Sequence, residues 1–157
     1  VWKGAGGYEM RGALRFEADR ADWLVRETDL SCFVIEGSLE GAPVGRWALT
    51  QLEVDTTWRL HFDAEAGAFL VEGDGVWMPQ AWNMDGAGMN CGTDGFGFNI
   101  GNAAQDLCID NTLILESQVD PFRPFTALPV DSYDFPEDAC YAPPLLSHVG
   151  RAGRISS

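Results

Sequence analysis

"MNCGTDGFGFNIGNAAQDLCID", residues 89–110, is the stretch on which the fold turns. Glycines and asparagines surround an alternating row, Phe96, Phe98 and Ile100, and two of the four cysteines, Cys91 and Cys108, flank it. It reads as a metal knuckle, a phosphate-cradling loop or a stapled hairpin. Structural zinc takes ligands a few residues apart, typically C-x(2–4)-C, whereas the nearest cysteines here stand at positions 91 and 108. A phosphate loop joins a strand to a helix, and "GFGFNIGN" follows no such junction and carries no lysine. The hairpin remains, with "FGFNI" and "DLCIDNTLILES" read as two strands joined by "GNAAQ". Cysteines flanking that unit are placed to cross-link neighbouring strands at its open end.

Four cysteines allow three pairings. The expected bonds are Cys91–Cys108, closing a short loop worth about 3 kcal/mol by chain entropy, and Cys32–Cys140, tying down the C-terminal part. Buried free thiols are the alternative. A cysteine nucleophile would need a histidine base, and the two histidines, His61 and His148, sit in a strand-like run and near the tail. Disulfides persist in oxidising compartments, so the expected location is outside the cytosol, periplasmic or extracellular.

Outward from the hairpin, period-two alternation dominates. "YEMRGALRFEAD" puts Tyr8, Met10, Leu14 and Phe16 opposite Glu9, Arg11, Arg15 and Glu17. "LSCFVIEGSLEG" sets Leu30, Cys32 and Val34 against Phe33 and Ile35; "GAPV" is read as the turn into "GRWALTQLEV" with Trp47 and Leu49. "TWRLHFD" aligns Trp58, Leu60 and Phe62, leaving His61 as a solvated strand residue, and "AEAG" leads into "AFLVEGDG" as a hairpin. In "VWMPQAW", Pro79 favours an edge or a broken strand. "RADWLV", residues 20–25, is the one short helix candidate, a β-turn connection serving equally well.

Roughly eight strands separated by Gly, Pro and Asp turns predict an all-β fold, an antiparallel β-sandwich or jelly-roll-like barrel. The core is expected over residues 1–116. Residues 117–157 are expected as an extended Pro-rich arm of the same domain, since five of the eight prolines fall between Asp120 and Pro143. "LLSHVGRAGRISS" reads as a short helix, a disordered end or a segment ordered by a partner.

The chain has 157 residues, 46% of them hydrophobic, enough to bury about two thirds of its unfolded surface around one core. Its formal charge of −14, with no Lys/Arg stripe, repels nucleic acid and anionic membrane surfaces. No run reaches the ~18 apolar residues of a membrane span, and the chain is expected to be soluble. It starts at Val1 without a charged and then apolar leader pattern, so a leader is expected to have been removed or to lie outside this sequence.

Several residues are candidates for chemistry. Asp85, Asn90 and Asp94, with Asn99 and Asn102 nearby, offer oxygen ligands on a Gly-rich bend, making calcium the candidate ion; the spacing matches no EF-hand, and Asx-turn capping is the alternative. No other metal or cofactor is expected. Of six tryptophans, Trp47 and Trp58 read as core. Trp77 and Trp82 bracket Pro79 as a candidate platform for sugars or a protein, against rings folded over the barrel end. Phe122, Phe125 and Tyr133 are candidate partner contacts on the arm. The carboxylate pairs Glu36/Glu40, Glu53/Asp55 and Asp63/Glu65 are what 24 acids produce by chance, and no G-x-S-x-G elbow occurs, so no enzyme is expected.

The succession "YEMRGALRFEAD", "TDLSCFVIEGSLEG", "GRWALTQLEVD" and "LHFDAEAGAFL" resembles the extracellular β domains of bacterial exported proteins of the PEP-CTERM type, over roughly residues 8–116. The resemblance implies a secreted surface or matrix component of a Gram-negative bacterium. "GRAGRISS" departs from that family's sorting signal, which pairs a Val-Pro-Glu-Pro-like motif with an apolar anchor and terminal arginines. The functional expectation is a non-catalytic structural or accessory subunit contacting a protein partner through the arm. A carbohydrate-binding module using Trp77 and Trp82, with a polysaccharide ligand, is the alternative.

Overall fold

The structure, a computed structural model, describes residues 1–17 and 23–141. Thirteen strands follow in chain order: β1 (Trp2–Lys3), β2 (Tyr8–Phe16), β3 (Leu24–Arg26), β4 (Leu30–Leu39), β5 (Ala42–Ala48), β6 (Thr57–Arg59), β7 (His61–Asp63), β8 (Ala68–Phe69), β9 (Gln80–Met84), β10 (Phe96–Ile100), β11 (Gln105–Ile109), β12 (Thr112–Val119) and β13 (Phe125–Thr126). They form three antiparallel sheets, ordered β1-β2-β4-β5, β12-β11-β10-β9-β6 and β13-β8-β7-β3. The fold is all-β, and the described helical turns are short 3₁₀ segments at Glu27–Asp29, Leu49–Gln51 and Glu137–Ala139.

Alternation decides which face each strand buries. Phe33 and Ile35 of β4, with Trp47 of β5, point into a core shared with Trp82, Phe96, Phe98, Ile100 and Leu107 of the five-stranded sheet and Phe62, Phe69 and Phe125 of the third. The opposite face of the first sheet carries Val34 and Ala48, capped by Ala139, Phe135 and Cys140 from the C-terminal segment. Both faces of β4 are therefore covered. Phe96 is seated by glycine: Gly37 and Gly45 are cross-strand partners, and a Cβ on either would lie 2.4 or 2.5 Å from the Phe96 ring.

Several expectations need correction. "TWRLHFD" is two strands: β6 joins the five-stranded sheet and β7 the third, with fully buried Leu60 at the crossing. His61 is buried beside Gln80, its Nδ1 2.8 Å from the Pro79 carbonyl. Gln80 Nε2 donates to the carbonyls of His61 and Leu70, and Gln80 Oε1 accepts from Trp82 Nε1, so the break between the two sheets leaves these polar groups paired.

The β4–β5 turn lies at Glu40-Gly41, both with positive φ, and "GAPV" belongs largely to β5. Asp110-Asn111, also with positive φ, divides "DLCIDNTLILES" into a second hairpin. From the helix candidate at 20–25, residues 20–22 lie outside the described residues, and Leu24–Arg26 is strand because β7 pairs with it and buries Val25. Pro79 precedes β9, which is interior, flanked by β10 and β6; a proline just ahead of a strand leaves the ladder intact.

The segment beyond Glu116 also takes part in the sheets. β12 continues to Val119, and Phe125–Thr126 pairs with β8, Phe125 filling the core between Phe69 and Phe98. The readings placed on "LLSHVGRAGRISS" and His148 fall outside the described residues.

Candidate functional site

The C-terminal segment is fastened at two places. On one side Phe125 is buried in the third sheet. On the other, Cys140 is bonded to Cys32 of β4, and Tyr141 N–H donates to the Ser31 carbonyl at 3.1 Å. Arg46 grips Asp138 through two hydrogen bonds of 2.6 and 2.7 Å, and Thr50 Oγ1 donates to the Asp138 carbonyl. The Arg46 hydrogen bonds hold the Asp138 carboxyl below its ordinary range and push Arg46 upward in turn. Arg15 lies 5.3 Å from the centre of the Phe135 ring and donates to Cys32 Sγ, which pins the segment where it crosses β2 and β4.

Between these fastenings the chain turns apolar side chains to solvent. Leu128 is 85% exposed, Val130 69% and Tyr133 48%, with Phe122 exposed just before β13. Of the sequence candidates, Phe122 and Tyr133 are on the surface as expected, while Phe125 is not available to a partner because it is core. Trp82 is corrected in the same way: it is 1% exposed, packed against Phe33, Phe69 and Phe98, so it cannot pair with Trp77 as a platform. Trp77 is 64% exposed and stands alone over Arg59, whose guanidinium lies 5.8 Å from its ring and donates to the Trp77 and Met78 carbonyls.

The bend of residues 85–95 follows from Asx chemistry. Asp85 Oδ1 accepts from the Ala87 and Met89 amides and Oδ2 from Asn90 Nδ2. Partial burial opposes ionisation of Asp85, yet these hydrogen bonds outweigh it and keep the carboxyl below its usual range. Asp94 donates its amide to Asp110 Oδ1, and Asn99 is buried against Asp106. Among the described residues no three His, Cys, Asp or Glu side chains converge on a common metal position. Cys91 sits in this bend and is bonded to Cys108 of β11, fastening the bend over Met78, Ala81 and Met84 on the outer face of the five-stranded sheet. The bond therefore ties loop to strand, where strand-to-strand linkage at the hairpin's open end was expected.

A cleft of about 360 Å³ opens between this bend and the segment that follows β5. Trp47, Glu53, Asp55 and Thr56 line one wall, and Asn83, Thr93 and Asp94 the other. Sequence reasoning missed it because its walls come from two separated stretches, 46–56 and 83–96, that only the sheet topology unites. Comparison of the chain with protein-family models, curated proteins and solved structures returned no match.

The carboxylate pairs dismissed as catalytic have local roles or stand apart. Glu36 pairs with Arg46 at 3.6 Å, and Asp63 caps its turn by accepting from the Glu65 and Ala66 amides. No helix among the described residues is long and apolar enough to cross a membrane.

Proposed function

We propose that this chain is a non-catalytic, exported accessory subunit that docks on a protein partner within a larger periplasmic or cell-surface assembly. The observation that carries the reading is the span of residues 128–133, which holds Leu128, Val130 and Tyr133 out to solvent between two firm anchors. A segment held this way loses little conformational entropy on binding, so its apolar contacts convert efficiently into affinity. Two disulfides support a home in an oxidising compartment. The acidic surface, −14 overall, favours a partner whose contact face is basic around an apolar centre. The resemblance to exported PEP-CTERM-type domains agrees with this reading.

Deleting the whole C-terminal segment would remove Phe125 and Cys140 and confound docking with unfolding. The triple variant Leu128→Ser, Val130→Ser, Tyr133→Ser alters only exposed side chains. Cross-linking and affinity purification from the native host should recover a defined partner with the parent chain and lose it with the triple variant at unchanged thermal stability. Equal recovery by both chains refutes the role of this span.

A further inference from the structure

The cleft between the 85–95 bend and the segment after β5 is chemically lopsided. Glu53, Asp55 and Asp94 line it, and the side chains of all three are without a hydrogen bond or ion pair. The one guanidinium at its edge, Arg46, is already engaged by Asp138 and Glu36. An anionic ligand therefore finds no free cation among the described residues that line the cleft. Among the described residues no three acids converge closely enough to share a metal, so a ligand that satisfies these carboxylates must offer donors at several separate points.

A second observation narrows the class. Trp47, 2% exposed, forms part of the cleft wall, and its indole N–H is buried with no hydrogen-bond partner. An orphaned buried donor is costly, and an acceptor reaching it would recover that cost. Ammonium or guanidinium groups carry donors only and leave that N–H unsatisfied. Hydroxyl groups donate and accept at once, which matches three carboxylates and one indole N–H together. Thr56 and Thr93 add hydroxyls that complement either role. The cleft volume of about 360 Å³ falls at the small end of ligand sites, ~300–1,000 Å³, which suits one or two sugar rings.

We infer that this cleft is a binding site for a neutral, hydroxyl-rich sugar unit, held by the carboxylates of Glu53, Asp55 and Asp94 and by the Trp47 indole N–H. The site is separate from Trp77 and from residues 128–133, so it stands or falls apart from the docking role.

Isothermal titration calorimetry with cellotriose, maltotriose and fully N-acetylated chitotriose, beside polygalacturonate and spermidine, tests it on the intact disulfide-bonded chain. At least one neutral trisaccharide should bind at millimolar concentration or better, and polygalacturonate should not. The double variant Glu53→Gln, Asp55→Asn should weaken that binding about tenfold or more, the scale of hydrogen bonds to charged groups. Trp77→Ala and the triple variant at 128, 130 and 133 should leave it unchanged. Trp47→Phe removes the N–H together with part of the buried ring system and should also weaken binding; should it unfold the chain, Asp94→Asn serves in its place. Failure of all three neutral sugars overturns the assignment, as does binding of spermidine or polygalacturonate in their stead, or sugar binding indifferent to every cleft substitution.

Discussion

Gly37→Ala tests how the two largest sheets are joined. The change adds one methyl group, yet its carbon would lie 2.4 Å from Cε2 and Cζ of Phe96, where carbon atoms at rest keep ~3.5–4.0 Å apart. Relief would require the ring to retreat by about 1 Å. Phe96 is 1% exposed, and Gly45, the cross-strand partner of Gly37, sits under Cδ2 and Cγ of the same ring about as closely as Gly37 does under the ring edge. Overpacking of this kind costs ~1–3 kcal/mol, while removing a glycine from the unfolded chain returns ~0.4–1 kcal/mol. Gly37 has no positive φ, so no backbone strain enters, and the net loss should be about 1–2 kcal/mol. Urea unfolding followed by tryptophan fluorescence should show a lower midpoint at constant slope. Phe96→Leu, which shortens the offending ring, should make Gly37→Ala nearly harmless, giving a coupling of about 1 kcal/mol or more in a double-mutant cycle. A neutral or stabilising Gly37→Ala, or a cost undiminished by Phe96→Leu, would refute the reasoning.

The two disulfides should differ in weight. Cys32 and Cys140 are 108 positions apart and Cys91 and Cys108 17, so chain entropy assigns ~4.7 and ~3 kcal/mol respectively. Serine replacement of the first pair should lower the melting temperature more than that of the second, and the reverse order would contradict the assignment. Asp106 supplies a pH test. Burial raises its carboxyl above the ordinary range against the opposing hydrogen bonds from Asn99 and Gln118. A raised folded value penalises the fold above that value, and the penalty fades as pH falls toward the unfolded value near ~3.9. Asp106→Asn should therefore stabilise at pH 7 and help less at pH 4, its amide also able to donate to the unpartnered Asn99 Oδ1 after an amide flip. Greater benefit at the lower pH would invert the sign and defeat the argument.

Much of the β framework is legible in the residue pattern because a half-buried strand must alternate. Met10 and Phe16 against Glu9 and Arg11, and Phe33 and Ile35 against Val34, announce their faces directly; the cysteines alone allow three pairings, and the expected one is the pairing the structure contains. Alternation is silent on where a strand changes sheets: Trp58, Leu60 and Phe62 keep period two straight through the crossing at Leu60. Pro79 misleads because a proline just ahead of a strand looks like one on an edge, and Trp82 is thereby misplaced on the surface. Asp110-Asn111 carries a readable two-residue turn signal between apolar runs. The cleft carries none, since Trp47 and Asp55 meet Asp94 only after two distant stretches, 46–56 and 83–96, are brought together.

The nesting of the two sulfur bridges dictates an order of events at birth. A polypeptide emerging from its amino end presents Cys32 before Cys91 and Cys108, and those before Cys140. Oxidation in order of appearance would join Cys32 to Cys91, a bond the finished molecule does not contain. Correct maturation must either hold Cys32 reduced until Cys140 has emerged or undo a premature linkage by thiol exchange. A cell that takes the second route needs an enzyme that shuffles bonds as well as one that forms them, and there the yield should fall when shuffling alone is lost.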